Sequence, residues 1–385
     1  MAPQASKTTM DKGKYLELRV ARMLFAEGLS PFVNVYFHTA LDSKSVSTPD
    51  VDVMGCRFLA DATIFFAHYD CKSGDSEVIS RILKLMGLRN RIPPGPIMYL
   101  RKKTSLDIKR HAMRSGIRIC NISEFEKREK GFVAPIFGEY FPSISDPSVH
   151  ELWLSTKGKS KNKQLGRILR YFDFEFWAED PFSRLRRSIA AVELIQSACS
   201  EDGIYGDDQD MIVGCVIRSF VFSLLAAVSQ IAFLSELEIT EAVREWLITE
   251  KLSVQELQTI VESAAQLTYD IYGDPNKGPI RKQDYYVPPP DYTDELIGLL
   301  RRHIELYDVI PQLLPAFDAL VIEGSLLGRK LMSKALLRGV SDPKIEEAKR
   351  WLRSIKVFLS SRQSSLQDWK GWNAVLLSSN GDSPK

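Results

Sequence analysis

The apolar positions in the first third of the chain switch between two periods. From Lys14 to Glu27, Leu16, Val20, Met23 and Leu24 recur at helical spacing, and Gly28 follows as a stop. Ser30 to His38, Val51 to Phe58 and Thr63 to Cys71 are runs rich in Val, Ile, Phe and Tyr that predict three strands, with a polar loop over Ala40 to Thr48. Glu77 to Arg89 returns to helical spacing, with Ile79, Ile82, Leu83 and Met86 assigned to its apolar face. Pro93, Pro94, Gly95 and Pro96 break the chain before a short strand at Ile97 to Leu100. A helix over Ser105 to Ser115 ends at Gly116, and a strand over Ile117 to Ile122 closes the series. Three strands in sequence, then a strand reached through a crossover helix, predict an α/β unit with a mixed central sheet flanked by helices.

The remainder reads as an all-α domain. Helices are expected over 162–177, 183–200, 208–235, 239–249, 253–270, 293–308, 310–338 and 343–361, interrupted by a Pro-rich loop at 273–291. The expected organisation is a flexible N-terminus at 1–11, the α/β domain at 12–130, a connector at 131–161, the helical domain at 162–372 and a disordered tail at 373–385. A chain of 385 residues suits two domains of this size.

Composition narrows the function classes. The five cysteines, Cys56, Cys71, Cys120, Cys199 and Cys215, are odd in number, widely spaced and form no CxxC. That is a poor disulfide framework and a poor zinc site, and it points to a reducing, cytoplasmic setting. Met1 to Lys12 lacks the apolar core of a signal peptide. The longest apolar run, Met211 to Leu234, is interrupted by Arg218 and Gln230, so a buried helix is expected rather than a membrane span.

Three polar signals stand out against the apolar pattern. Glu17 falls within the apolar arc of the first helix, at about 100° per residue; the bland alternative is a rim glutamate at the arc's edge. In Pro49-Asp50-Val51-Asp52-Val53-Met54-Gly55, the two aspartates share one strand face. Aspartate is depleted in strands, so either a strand edge with one solvated face or a function accounts for them. In Tyr69-Asp70-Cys71-Lys72, Asp70 and Lys72 share a face at the end of an apolar strand. Together these supply what metal-assisted phosphodiester cleavage requires: hard oxygen ligands for a cation such as Mg²⁺, and a lysine to orient water or to stabilise charge on phosphate.

On these residues the segment 12–127 resembles the PD-(D/E)xK, or restriction-endonuclease-like, superfamily. Gly13 to Gly28 is similar to the opening of archaeal Holliday-junction resolvases and Mrr-type nucleases. The resemblance implies a metal-dependent endodeoxyribonuclease with Glu17, Asp52, Asp70 and Lys72 as catalytic residues, and Glu17, Asp52 and Asp70 as ligands of Mg²⁺ or Mn²⁺. It also implies DNA as substrate, a role in restriction, phage defence or repair, and cleavage as a homodimer. The sequence departs from the common pattern in offering both Asp50 and Asp52 in the second strand and Asp70 where many members carry glutamate. A second class of function stays open: a nucleic-acid-binding or interaction protein on the same fold without catalysis.

Local charge favours nucleic acid, whereas the net charge of +2 is neutral on the question. Between Arg81 and Arg118 eleven Lys/Arg face one acid, Asp107. Arg81, Lys84, Arg89, Arg91, Lys102 and Lys103 are the candidate phosphate contacts. A second basic run spans Lys157 to Arg170. The helical half carries no nucleotide-binding loop and no metal-ligand cluster. His150 and His303 are isolated, and Tyr171 to Trp177 reads as core or interface. This half is expected to recognise a partner or substrate, or to build an oligomer.

Overall fold

The computed structural model describes residues 11–37, 51–72, 77–160, 163–249, 254–272, 288–305 and 308–376. Helix α1 (Lys12–Ala26) leads into β1 (Ser30–Val35), β2 (Val51–Phe58) and β3 (Ile64–Lys72). Then follow α2 (Val78–Leu88), β4 (Ile97–Arg101), α3 (Leu106–Arg114), β5 (Ile117–Asn121) and α4 (Ile122–Arg128). The five strands form one mixed sheet in sequential order. β1, β2 and β3 pair antiparallel. β4 and β5 add parallel to β3, each reached through a helix, because parallel neighbours need a crossover. Gly28 and Gly116, both at positive φ, end α1 and α3 where a side chain would be strained.

The sheet is covered on both faces. Leu16, Val20 and Leu24 of α1 pack with Val53, Ala67, Tyr69 and Cys71. Ile82, Leu85 and Leu88 of α2 pack with Met54, Ile97, Tyr99 and Ile117 on the other side. The buried face of α2 differs from the one expected. Ile79, Leu83 and Met86 are exposed, and only Ile82 of the four assigned residues is buried. Both stripes satisfy helical spacing, and the sheet selects the Ile82–Leu85–Leu88 stripe.

The remainder is helix-rich. The stretch expected as a connector carries α5 (Ala134–Phe137) and α6 (Pro147–Lys159). Then come α7 (Lys163–Arg170), α8 (Pro181–Glu201), α9 (Gly206–Ile231), α10 (Glu236–Thr249), α11 (Val254–Tyr272) and α12 (Thr293–Ile304). The helix expected over 310–338 is broken into α13 (Ile310–Ala316), a π-helical segment (Phe317–Leu326) and α14 (Lys330–Leu336). Pro315 sits at the first break and Gly328, at positive φ, at the second. α15 (Asp342–Arg362) follows. A last short helix, α16 (Asn373–Leu376), replaces the start of the expected disordered tail and buries Val375. Residues 377–385, the N-terminal ten residues, most of the Pro-rich stretch and Asp50 lie outside the described residues.

The two halves share apolar cores. Cys56, Phe58 and Ala62 belong to the same cluster as α8, α9 and α15, and Met332 of α14 belongs to the α1 side of the sheet. α9 is long and apolar enough to cross a membrane, and its apolar window is 89% buried by the rest of the chain. Arg218 on that helix forms a buried ion pair with Asp318, Nε to Oδ1 at 2.7 Å.

Candidate active site

The candidate residues gather where β2 begins and β3 ends. Val53 pairs with Tyr69, so one step further Asp52 stands opposite Asp70. Asp70 pairs with Tyr99, which packs on the α2 side, and Asp52 stands across from Asp70. Asp70 and Lys72 share that face through their cross-strand and i, i+2 relations. Glu17 approaches from α1, half-buried between Leu16 and Leu18.

Each carboxylate has a distinct environment. Asp52 is 5% exposed, and its Oδ2 accepts a 2.6 Å hydrogen bond from the Cys71 backbone N–H. Burial pushes its carboxyl up to about 7; the charge of Asp70 adds to this, the Cys71 hydrogen bond opposes it, Glu17 raises it further and Lys72 lowers it. Four sequence candidates thus act on one another electrostatically. Glu17 is also raised by burial, against the pull of Lys14 and Lys72. Its Oε2 accepts from Lys14 Nζ at 2.8 Å.

Asp70 is 1% exposed and held by Arg81 of α2, whose Nε donates to Oδ2 at 2.6 Å and whose Nη2 donates to Oδ1. The hydrogen bond to Asp70 raises the Arg81 guanidinium above its ordinary value. Arg81 was expected among the phosphate contacts; it turns inward because a buried carboxylate needs a partner and the bidentate guanidinium matches it.

The other basic candidates are exposed but divided. Lys102 and Lys103 follow β4 at the end of the sheet that holds the site. Arg89 and Arg91 follow α2 at the opposite end, where Arg89 Nη1 donates to the Ser115 carbonyl at 3.4 Å. Lys84 lies on the exposed face of α2 between them. The dense basic run in sequence therefore covers two ends of one face, because the crossover helix carries the chain back along the sheet.

Three residues near the site were not among the candidate site residues, although Arg101 belongs to the basic run. Arg101 lies beside Lys72 in the β3–β4 register, is 5% exposed, and its Nε has no hydrogen-bond partner among the described residues. Lys14 joins Glu17 to Asn34, donating to Asn34 Oδ1 at 3.0 Å. Its i, i+3 spacing to Glu17 was the available signal. Asn34 has φ of 58° and lies between the Val33–Val53 and Val35–Val51 pairs, across from Asp52. Asparagine tolerates that conformation better than most residues, but nothing in the local pattern announced it.

The donor set suits a hard cation in kind: all three acids offer oxygen, and such ions are held by one or two carboxylates with water. The present contacts are less permissive. Both Asp70 oxygens are taken by Arg81, one Asp52 oxygen by Cys71, and among the described residues no group of three or more His, Cys, Asp or Glu is arranged to hold a metal. Comparison with protein-family models, with curated proteins and with solved structures found no match.

Proposed function

We propose that this chain is a metal-dependent nuclease acting on DNA, built on an N-terminal unit of restriction-endonuclease type. The observation that carries the reading is the meeting of Glu17, Asp52, Asp70 and Lys72 at one end of the sheet, with Asp52 held up to about 7 by burial and by its acidic neighbours. Two acids facing each other across adjacent strands are costly unless a cation or a proton is shared between them. Asp52 and Asp70, with Glu17 behind them, would hold Mg²⁺ or Mn²⁺. When bound, the ion supplies Lewis-acid polarisation of a phosphate oxygen and an acidified water. Lys72 orients that water or stabilises charge developing on the phosphate. Lys102 and Lys103 flank the same end of the sheet and suit the backbone of the nucleic acid. The helical half would serve substrate recognition or pairing with a second copy or another protein, in restriction, phage defence or repair.

One observation favours a second reading, a nucleic-acid-binding protein that does not cut. The Arg81 guanidinium engages both oxygens of Asp70, and this internal cation already neutralises the acid. In the nuclease reading Arg81 must swing away before Asp70 can act as a ligand.

Wild type, Lys72→Ala and Arg81→Ala are compared on supercoiled plasmid, single-stranded DNA and RNA with Mg²⁺, Mn²⁺ or EDTA. Metal-dependent cleavage by wild type, reduced at least about 100-fold in Lys72→Ala with DNA binding retained, is the expected result. Mn²⁺ titrated calorimetrically should bind Arg81→Ala more tightly than wild type. DNA binding without cleavage by wild type or Arg81→Ala under any metal would establish the second reading instead.

A further inference from the structure

A cavity of about 180 Å³ lies between β1, α6 and α9, outside the carboxylate cluster. Four of its walls are aromatic rings: Phe32, Trp153, Phe172 and Trp177. Phe32 and Trp177 meet edge to face at 4.7 Å between centroids, so this corner is preorganised. The cavity also has a polar edge. His150, Trp153 and Lys157 line it from one face of α6, at the i, i+3, i+7 spacing that stacks side chains along a helix. Asp173 stands against that stripe, accepting from Trp153 Nε1 at 3.1 Å through Oδ1 and pairing with Lys157 through Oδ2. Each of those oxygens keeps a second lone pair, and His150 is held neutral, down to about 4, by burial and the nearby lysines.

We propose that this cavity is a binding site for a purine-type heterocycle, a free base or the base of a nucleoside. Its size suits one flat bicycle: an apolar cavity of about 150 Å³ accommodates a single benzene ring, and this one is modestly larger. Aromatic walls stack on either ring of a base regardless of its identity. The polar edge selects a heterocycle over a hydrocarbon. An exocyclic amine donates to Asp173 while Lys157 and the neutral imidazole of His150 offer donors to ring nitrogens, and sites built to pair a ligand's polar edge reject analogues lacking it.

The test is isothermal titration calorimetry of the full chain with adenosine, guanosine and indole, without metal or DNA. Because neither cleavage nor metal binding is read, the result is independent of the nuclease reading. Sub-millimolar one-to-one binding of at least one purine nucleoside is expected, with indole weaker. Ser219→Leu and Cys215→Phe each project a larger side chain into the cavity from α9, and Asp173→Asn keeps the volume while changing the polar edge. Each variant that retains the wild-type circular dichroism should weaken nucleoside binding at least about tenfold, equivalent to 1.4 kcal/mol. Asp173→Asn should leave indole unaffected. The proposal is overturned if neither nucleoside binds below the millimolar range, if indole binds as tightly as both, or if the folded variants bind as wild type does.

Discussion

Asp52 carries a strong electrostatic signature at the sheet end. Its acid group is raised from 3.8 to about 7, with burial as the leading cause and Asp70 next. The folded chain therefore holds this proton more tightly than the unfolded chain does. Stability linked to Asp52 is fully present below about pH 4 and declines as pH rises toward 7, over a range worth a few kcal/mol at about 1.4 kcal/mol per unit. Glu17 is shifted in the same direction and adds to the trend. Asp52→Asn should flatten it: in urea denaturation without divalent metal, wild type should lose more stability than the variant between pH 5 and pH 7.5. Equal losses would place the proton elsewhere. The same residue shows what was readable beforehand. An aspartate flanked by valines was legible as an anomaly, and so was Asp70 two residues before Lys72. That Arg81 closes on Asp70 was not, because a helix eleven residues on in the chain brings it there.

At the level of elements, periodicity located β1–β5 and α1–α3 to within a few residues and gave no sign of α4 (Ile122–Arg128). β2 spans Val51–Phe58 as expected, and β4 extends one residue beyond its expected end to include Arg101. The choice of face on α2 was less legible, since Ile79–Leu83–Met86 and Ile82–Leu85–Leu88 have similar spacing. The turn into β4 is more constrained than its Pro-Gly composition suggests. A Cβ on Gly95 would come within 2.2 Å of the Phe66 carbonyl oxygen, and the adjacent Pro96 carbonyl accepts from His68 N–H at 2.9 Å. Gly95→Ala should therefore push β4 away from β3 and cost about 1–3 kcal/mol, as overpacking against fixed atoms does. Thermal denaturation checks this, and an unchanged midpoint would mean the loop yields freely.

On the scale of the whole molecule, the α/β unit and the helical half are joined by a shared core and by Arg218, whose buried ion pair with Asp318 lies within the helical half and whose other contacts reach β1. Arg218 binds Asp318 through two nitrogens, reaches the Pro31 carbonyl at 3.4 Å and lies 4.4 Å from the centre of the Phe32 ring. It thus connects α9, the π-helical segment after α13 and β1. Asp318→Ala leaves a buried guanidinium without its carboxylate and should cost about 3–5 kcal/mol. The double variant Arg218→Met with Asp318→Leu removes both charges and should recover most of that loss. Failure of the double variant to recover, in chemical denaturation, would show that the contacts of Arg218 to β1 matter more than the charge balance.

Local pattern was sufficient to determine the order of elements, a mixed sheet followed by helices, and the residues worth suspecting of chemistry. Those properties depend on neighbours within a few positions, where alternation and helical spacing act directly. Tertiary structure alone decided the rest. Arg81 became a carboxylate partner and Arg101 was buried beside Lys72, while Arg89 and Arg91 went to the far end of the sheet. The stretch 131–160 folded into helices, and its α6 closed an aromatic cavity with residues from β1 and α9. Each of these depends on which segments a crossover or a shared core brings together, and segments far apart in the chain carry no local trace of one another.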